Sequence, residues 1–211
     1  MGKSCCEGKS DELVKLREKQ GRVLKIVLAV NAVMFLVEFV SGWIAKSSAL
    51  QADSLDMLGD ALVYGFSLYV LHRSASWKAT AALLKGSIIV GFALFVLVST
   101  TMKVITGTVP AYETMGAVGV LALAANALCL YLLYSHRRDD INMRSTYICS
   151  RNDILSNSAV LFAALGVSLT GSGWPDIAVG YGIAILFLGS AWPILREAIS
   201  TLRRGEAPLA Q

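Results

Sequence analysis

Six long apolar stretches alternate with short polar linkers along the chain. The apolar stretches cover residues 23–45, 50–71, 79–101, 112–134, 143–170 and 175–195. Each is long enough to cross about 30 Å of hydrocarbon as an α-helix that rises about 1.5 Å per residue. The pattern therefore predicts an all-α polytopic membrane protein with six transmembrane helices. Polar tails at residues 1–22 and 201–211 are predicted to flank a transmembrane domain at residues 23–200.

Basic residues are concentrated in every second linker and near the C-terminus. They are His72, Arg73 and Lys78 after the second stretch, His136, Arg137, Arg138 and Arg144 after the fourth, and Arg196, Arg203 and Arg204 after the sixth. The other linkers contain little positive charge beyond Lys46 and Lys103. Because cytoplasmic loops carry an excess of Lys and Arg, both termini are predicted to be cytoplasmic.

Composition agrees with a membrane protein that has no large soluble domain. Charged residues make up 16% of the chain and hydrophobic residues 55%, whereas soluble domains carry about 25% charged residues. The mean hydropathy is +0.59. The net charge of +4 comes from the tail and the loops, and it requires no nucleic-acid partner. We expect a multi-pass protein of the cell membrane, which in a bacterium is the inner membrane, with the lipid bilayer as its surroundings.

The N-terminal tail and the cysteines leave alternatives open. Residues 11–20 have helical spacing, and they form either an amphipathic helix at the membrane surface or a solvated charged tail. The four cysteines, Cys5, Cys6, Cys129 and Cys149, suggest no disulfide framework. Cys129 is predicted to pack in an apolar segment. Cys5 and Cys6 either collect metal or remain a reduced pair in the tail.

Three aspartates interrupt the second apolar stretch. Asp53, Asp56 and Asp60 lie in a segment that otherwise reads as membrane-spanning, and Asp56 and Asp60 share one face of a helix. An ionised carboxylate in hydrocarbon costs several kcal/mol, so such residues usually face a bundle interior or a wet cavity. Two carboxylates on one face repel each other, and a divalent cation is their natural partner.

The fifth stretch opens with a second polar face. Cys149 and Asp153 have the same spacing as Asp56 and Asp60, and a polar face of this kind must also point into the bundle. Together the two faces offer three carboxylates and one thiolate. Ligands of mixed oxygen and sulfur suit tetrahedral Zn²⁺ or Cd²⁺ better than Mg²⁺. Because each ligand binds metal only when deprotonated, protons compete with the metal at such a site.

These two motifs resemble those of the cation diffusion facilitator family of metal/proton antiporters. The motifs are Ala-Asp-Ser-Leu-Asp-x-x-x-Asp at residues 52–60 and Cys-x-x-x-Asp at residues 149–153. The six-span layout is similar too, and the resemblance covers nearly all of residues 23–200. It implies one midmembrane site formed by Asp56, Asp60, Cys149 and Asp153. It also implies export of Zn²⁺, Cd²⁺, Co²⁺, Fe²⁺ or Mn²⁺ from the cytoplasm by alternating access, against inward proton movement.

The chain departs from the family pattern in two respects. The commonest zinc pattern has His at the first position of each pair, where this chain has Asp56 and Cys149. A thiolate in place of an imidazole leaves a borderline-soft site, which favours Zn²⁺ or Cd²⁺ and remains compatible with Co²⁺ or Fe²⁺. Most members also carry a cytoplasmic metal-binding domain after the sixth span, and the chain is expected to be a short form without it. This expectation leaves a homodimer open.

The metal is the transported substrate, no cofactor is expected, and the chain is not expected to be an enzyme.

The sequence leaves alternative roles open for several residues and two alternative functions open for the protein. Asp53 is a helix N-cap or a residue of the entry cavity, with direct metal ligation as the less favoured alternative. Glu38 lies on one face with Asn31 and either relays protons or has a hydrogen-bonded structural role, and Asn126 is predicted to make an interhelical hydrogen bond. The rivals are an intramembrane aspartyl protease using Asp60 and Asp153, and a metal-binding membrane protein that does not transport. Counting along the spans places Asp60 near midmembrane and Asp153 nearer the cytoplasm, which leaves their meeting unexplained.

Overall fold

The protein is a bundle of six helices joined by short connections. In the computed structural model they are α1 (Cys5–Ile44), α2 (Ser48–Val70), α3 (Ala75–Thr106), α4 (Tyr112–Tyr134), α5 (Ile141–Thr170) and α6 (Trp174–Arg204). The structure describes the backbone of residues 5–70, 75–134 and 141–204, and side chains mainly at 21–62, 83–84, 86–134, 153–189 and 195–196. No strand occurs among these residues. The prediction of an all-α fold with six helices is confirmed.

Several helices are longer than the apolar stretches that predicted them. α4 has the predicted bounds, but α1 begins at Cys5 and α6 continues to Arg204. A helix satisfies its own backbone hydrogen bonds and can therefore extend beyond the membrane into water. Residues 11–20 are helical and continuous with the first span, while their position at a membrane surface stays a prediction.

Four of the helices contain a segment long and apolar enough to cross a membrane within the part of the chain that is described. These segments are Gly21–Ile44, Gly86–Thr106, Tyr112–Tyr134 and Asp153–Thr170, and α6 has a shorter apolar segment at Trp174–Gly189. α2 carries Asp53, Asp56 and Asp60 within its apolar sequence. α2 packs against α1, α3, α5 and α6, so these helices shield much of it from the surroundings of the bundle.

Exposed apolar side chains cover the outside of the bundle. Leu36, Val98, Tyr131 and Phe162 are each more than half exposed. A soluble protein rarely leaves so much apolar surface in contact with water, whereas lipid tails solvate it well. The chain is therefore a multi-pass membrane protein.

Three connections meet at one end of the bundle, which we call the outer end on the predicted orientation. They join α1 to α2, α3 to α4 and α5 to α6. The N–H of Ala111 donates to the carbonyl of Ala45 over 3.0 Å and so ties the first connection to the second. The three basic clusters that predict the orientation lie largely outside the described residues, and the orientation stays a prediction.

Candidate metal site

The first turn of α2 is held by a carboxylate from α6. Asp176 accepts the Ser47 hydroxyl at 2.6 Å on Oδ1, the N–H of Ser48 at 2.7 Å on Oδ2, and the N–H of Ala49 at 2.9 Å on Oδ1. Ser47 also caps the helix, since its Oγ accepts the N–H of Leu50 at 3.1 Å. The first N–H groups of a helix have no partner within it and favour a negative charge. Asp176 therefore supplies from α6 the cap that α2 needs.

A lysine of α3 completes this polar network at the outer end. Lys103 donates through Nζ to Ser48 Oγ at 3.2 Å and to Gln51 Oε1 at 3.3 Å. Ser99 donates to the same Gln51 oxygen at 3.2 Å. The positive charge of Lys103 also interacts with the negative charge of Asp176. Residues 47–55 are all buried, so α2 is closed off between the outer end and Asp56.

Two glycines let α2 approach its neighbours closely. A Cβ added at Gly180 of α6 would lie 2.6 Å from the Cβ of Ser48. A Cβ at Gly42 of α1 would lie 3.0 Å from the backbone N of Gln51. Side chains at these positions would separate the helices, so the absence of a Cβ sets the depth at which α2 enters the bundle.

Asp153 and Ser156 of α5 lie near Asp56 and Asp60 of α2. The side chain of Ser156 on α5 makes a hydrogen bond with the carboxylate of Asp56 on α2. Asp60 and Asp153 are buried, with 8% and 5% of their surfaces exposed. Asp153 lies close enough to Asp60 and Asp56 for their charges to interact. The packing of α5 against α2 therefore removes the difference in depth that counting along the spans suggested.

The described side chains do not by themselves complete a metal site. Cys149 belongs to α5, but its side chain lies outside the described residues, as do those of Cys5 and Cys6. Among the side chains that the structure describes, no group of three or more His, Cys, Asp or Glu residues is placed to hold a metal ion. The four ligands therefore remain a prediction.

One alternative for Asp53 and the prediction for Asn126 are wrong. Asp53 is not an N-cap, because α2 begins at Ser48 and Asp53 lies within the helix, and its role in an entry cavity stays a prediction. Asn126 makes no interhelical hydrogen bond with any residue that the structure describes, since neither polar atom of its amide has a partner there. The sequence did not show either outcome, because the first depends on where α2 begins and the second on how the neighbouring helices face α4. Cys129 packs with Val27 and Leu133 as predicted.

Glu38 is closer to the site than the sequence could establish. Its side chain is completely buried in α1, and neither of its carboxylate oxygens has a hydrogen-bond partner in the described part of the chain. Its charge interacts with those of Asp56 and Asp153. Asn31, on the same face, instead donates to the carbonyl of Val27 at 3.0 Å. The signal in the sequence was a single acidic residue in an otherwise apolar span.

Comparison with known proteins identifies relatives over most of the chain. The chain is 27% identical over 198 residues to the metal cation efflux system protein CzcD of Cupriavidus metallidurans, covering 87% of this chain and 62% of CzcD. It is 27% identical over 206 residues to the zinc transporter ZitB of Escherichia coli, covering 92% and 66%. It is 23% identical over 199 residues to the cadmium, cobalt and zinc/H⁺–K⁺ antiporter of Bacillus subtilis, covering 86% and 64%.

These relatives are transporters and not enzymes, as the resemblance of the two motifs implies. The chain spans 62% of the length of CzcD. The model of the cation efflux transmembrane domain matches residues 24–203, which include α2, α5 and every predicted ligand. The chain therefore belongs to the cation efflux family, whose members are also called cation diffusion facilitators.

Proposed function

We propose that this protein exports divalent transition-metal cations from the cytoplasm in exchange for protons, with Zn²⁺ or Cd²⁺ as the favoured substrates. The observation that carries this proposal is the meeting of α2 and α5 in the bundle interior. There Ser156 makes a hydrogen bond with Asp56, and the charges of Asp60 and Asp153 interact. Names of relatives that include zinc, cadmium and cobalt agree with this choice of substrates.

The substrate is held by Asp56 and Asp60 of α2 together with Cys149 and Asp153 of α5. Interacting carboxylates in a buried site repel each other when they are ionised, and a divalent cation neutralises that repulsion. Three carboxylate ligands and one thiolate give a tetrahedral set of mixed hardness, which suits Zn²⁺ and Cd²⁺. Cys149 contributes the soft ligand and raises the preference for Cd²⁺ over harder cations.

Exchange with protons follows from the cost of buried negative charge. Each ligand must lose its proton to bind metal, and a site that has released its metal takes up protons again. Carrying ionised, unpartnered carboxylates through the return step would be costly. Metal and protons therefore occupy the site alternately, and the protonated site is the form that returns.

The closed outer end supports an alternating-access cycle. The buried residues 47–55 and the Asp176 cap close the path from Asp56 towards the outer end. Release on that side requires α2 to separate from α6 or both helices to move away from their neighbours together. Both movements change the surroundings of the Lys103 network, which joins α3 to the start of α2.

The test is metal-driven proton movement in proteoliposomes that contain a pH dye in the lumen. Zn²⁺ or Cd²⁺ added outside enters in exchange for lumenal protons, so the lumenal pH rises. Asp60→Asn removes one ligand charge without a large change in shape and is expected to abolish the signal. Glu113→Gln is the matched control, because Glu113 is an exposed carboxylate at the start of α4.

Two results would contradict the proposal. One is the absence of metal-driven proton flux in the wild-type protein with every divalent metal tested. The other is flux that persists unchanged in Asp60→Asn. Stoichiometric metal binding without any flux would instead identify a metal-binding protein that does not transport.

A further inference from the structure

Two buried carboxylates on the packed helices α1 and α2 belong to neither the proposed ligand set nor the Asp176 network. Glu38 and Asp53 are both completely buried. None of their four oxygen atoms has a hydrogen-bond partner among the described residues. A buried polar group without a partner is strongly unfavourable, and an ionised one far more so. These two side chains therefore need a ligand of their own.

The packing of α1 against α2 places the two carboxylates at nearly the same depth. Gly42 of α1 lies against Gln51 of α2, which sets the register of the antiparallel pair. Glu38 is one turn from Gly42, about 6 Å along the axis, and Asp53 is about 3 Å from Gln51 in the same direction. Asp56 lies about 7.5 Å from Gln51 in the same direction along α2. Glu38 is therefore level with the segment between Asp53 and the first proposed metal ligand, and its charge interacts with that of Asp53.

The charged and titratable groups around the pair offer no described cation to neutralise it. Lys103 of α3 donates to Ser48 and Gln51 rather than to either carboxylate. Asp176 of α6 is engaged with the first turn of α2. The other titratable groups whose charges interact with the pair are the carboxylates of Asp56 on α2 and Asp153 on α5. On α1 itself, Arg22 and Lys25 are exposed.

We propose that Glu38, together with Asp53, forms a separate proton-binding site beside the metal site and contributes to the protons exchanged for each metal ion. This inference rests on the proposed function. A proton needs a single oxygen atom, whereas transition metals and K⁺ need several ligands, and this pair supplies only two side chains. The apolar surroundings, which include Met34 and Met57 on neighbouring turns, also favour the neutral protonated form.

The electrostatic connection to the metal site explains how this proton is released. The charge of Glu38 interacts with those of Asp56 and Asp153, so a dication bound there favours the ionised form of Glu38. Metal binding then releases a proton from the Glu38 site in addition to those displaced from the ligands. When the metal leaves, Glu38 takes its proton back, and the return step carries it across.

The experiment measures how many protons the purified full chain releases per Zn²⁺ bound, from the slope of log Kd against pH. Wild type is compared with Glu38→Gln, Glu38→Asp and the exposed control Glu113→Gln. Glu38→Gln is expected to lower the slope by up to about one proton per metal. Glu38→Asp, which keeps the carboxylate, should largely restore it, and Glu113→Gln should match wild type. Asp53→Asn provides an independent variant with the same expected loss.

The outcomes distinguish the possible failures. A slope that is unchanged in both Glu38→Gln and Asp53→Asn overturns the inference while leaving the proposed function intact. Equal losses in Glu38→Gln and Glu38→Asp indicate a structural role and also overturn it. K⁺-dependent Zn²⁺ affinity that disappears in Glu38→Gln replaces the proton with K⁺ as the ligand of the pair. A wild-type protein that binds no metal removes the proposed function, and the inference falls with it.

Discussion

At the scale of single residues, the site depends on contacts between side chains that lie far apart in the sequence. The hydrogen bond between Ser156 and Asp56 joins α5 to α2, and Asp176 holds the first turn of α2 from α6. The first contact orients a proposed ligand, and the second fixes the helix that carries it. These two contacts therefore predict different effects, one on metal affinity and one on stability.

Ser156→Ala should weaken Zn²⁺ binding by about tenfold, because groups that orient a metal ligand typically contribute this much to affinity. Ser158→Ala is the matched control, since the Ser158 hydroxyl donates to the carbonyl of Ile154 in its own helix at 2.6 Å. Isothermal titration of the purified protein measures both. Equal effects of the two substitutions would show that Ser156 does not orient Asp56.

Asp176→Ala should destabilise the protein by at least about 3 kcal/mol, since hydrogen bonds to a charged group contribute about 1.5–3 kcal/mol each. Three donors lose their acceptor, and two of them are N–H groups in the first turn of α2. Thermal unfolding in detergent should show a clearly lower Tm. Asp176→Asn keeps one acceptor oxygen and should give an intermediate Tm. A Tm equal to that of wild type in Asp176→Ala would contradict the capping role.

At the scale of helices, the position of α2 is set by small residues on its neighbours. Gly180 of α6 leaves room for Ser48, and Gly42 of α1 leaves room for Gln51. The three aspartates of α2 are unfavourable in contact with lipid, and its packing against α1, α3, α5 and α6 agrees with this. The hydropathy of an isolated helix does not show which helices shield it, because shielding depends on how its neighbours pack.

Gly180→Ala should destabilise the bundle by about 1–3 kcal/mol, the usual cost of overpacking. The new methyl group would lie 2.6 Å from the Cβ of Ser48 and 2.9 Å from its backbone carbon. Gly182→Ala on the same helix is the control, because nothing lies within 4 Å of its added Cβ and alanine favours the helix by about 1 kcal/mol. The two variants should therefore shift Tm in opposite directions. A stabilising Gly180→Ala would contradict the close approach of α6 to α2.

At the scale of the whole molecule, a buried acidic interior is enclosed by an apolar exterior. Glu38, Asp53, Asp60 and Asp153 are all buried, and the exposed surface is rich in large apolar side chains. An interior of this kind is stable only when protons or metal ions neutralise it. On the proposed function, the bundle as a whole is therefore expected to connect metal occupancy with pH.

Lowering the pH by one unit below neutrality should weaken Zn²⁺ binding, because the carboxylates and the thiolate bind metal only when deprotonated. Protonation of any ligand competes with the metal, so the apparent affinity falls as the pH falls and rises as the pH rises. Binding measured across a pH series in detergent provides the test. Zn²⁺ affinity that does not change with pH would contradict both the ligand set and the exchange mechanism.

The sequence alone determined the features that depend on local periodicity. Apolar stretches of sufficient length predicted six helices, and the spacing of Asp56 with Asp60 predicted a shared helix face, because both follow from the geometry of one segment. Only the tertiary structure decided which faces meet. The Ser156–Asp56 hydrogen bond, the Asp176 cap on α2, the interior position of Asp53 and the unpartnered amide of Asn126 all depend on how helices distant in sequence pack. Helix packing is set by the combined shape and charge of several segments, and the pattern of a single segment does not contain that information.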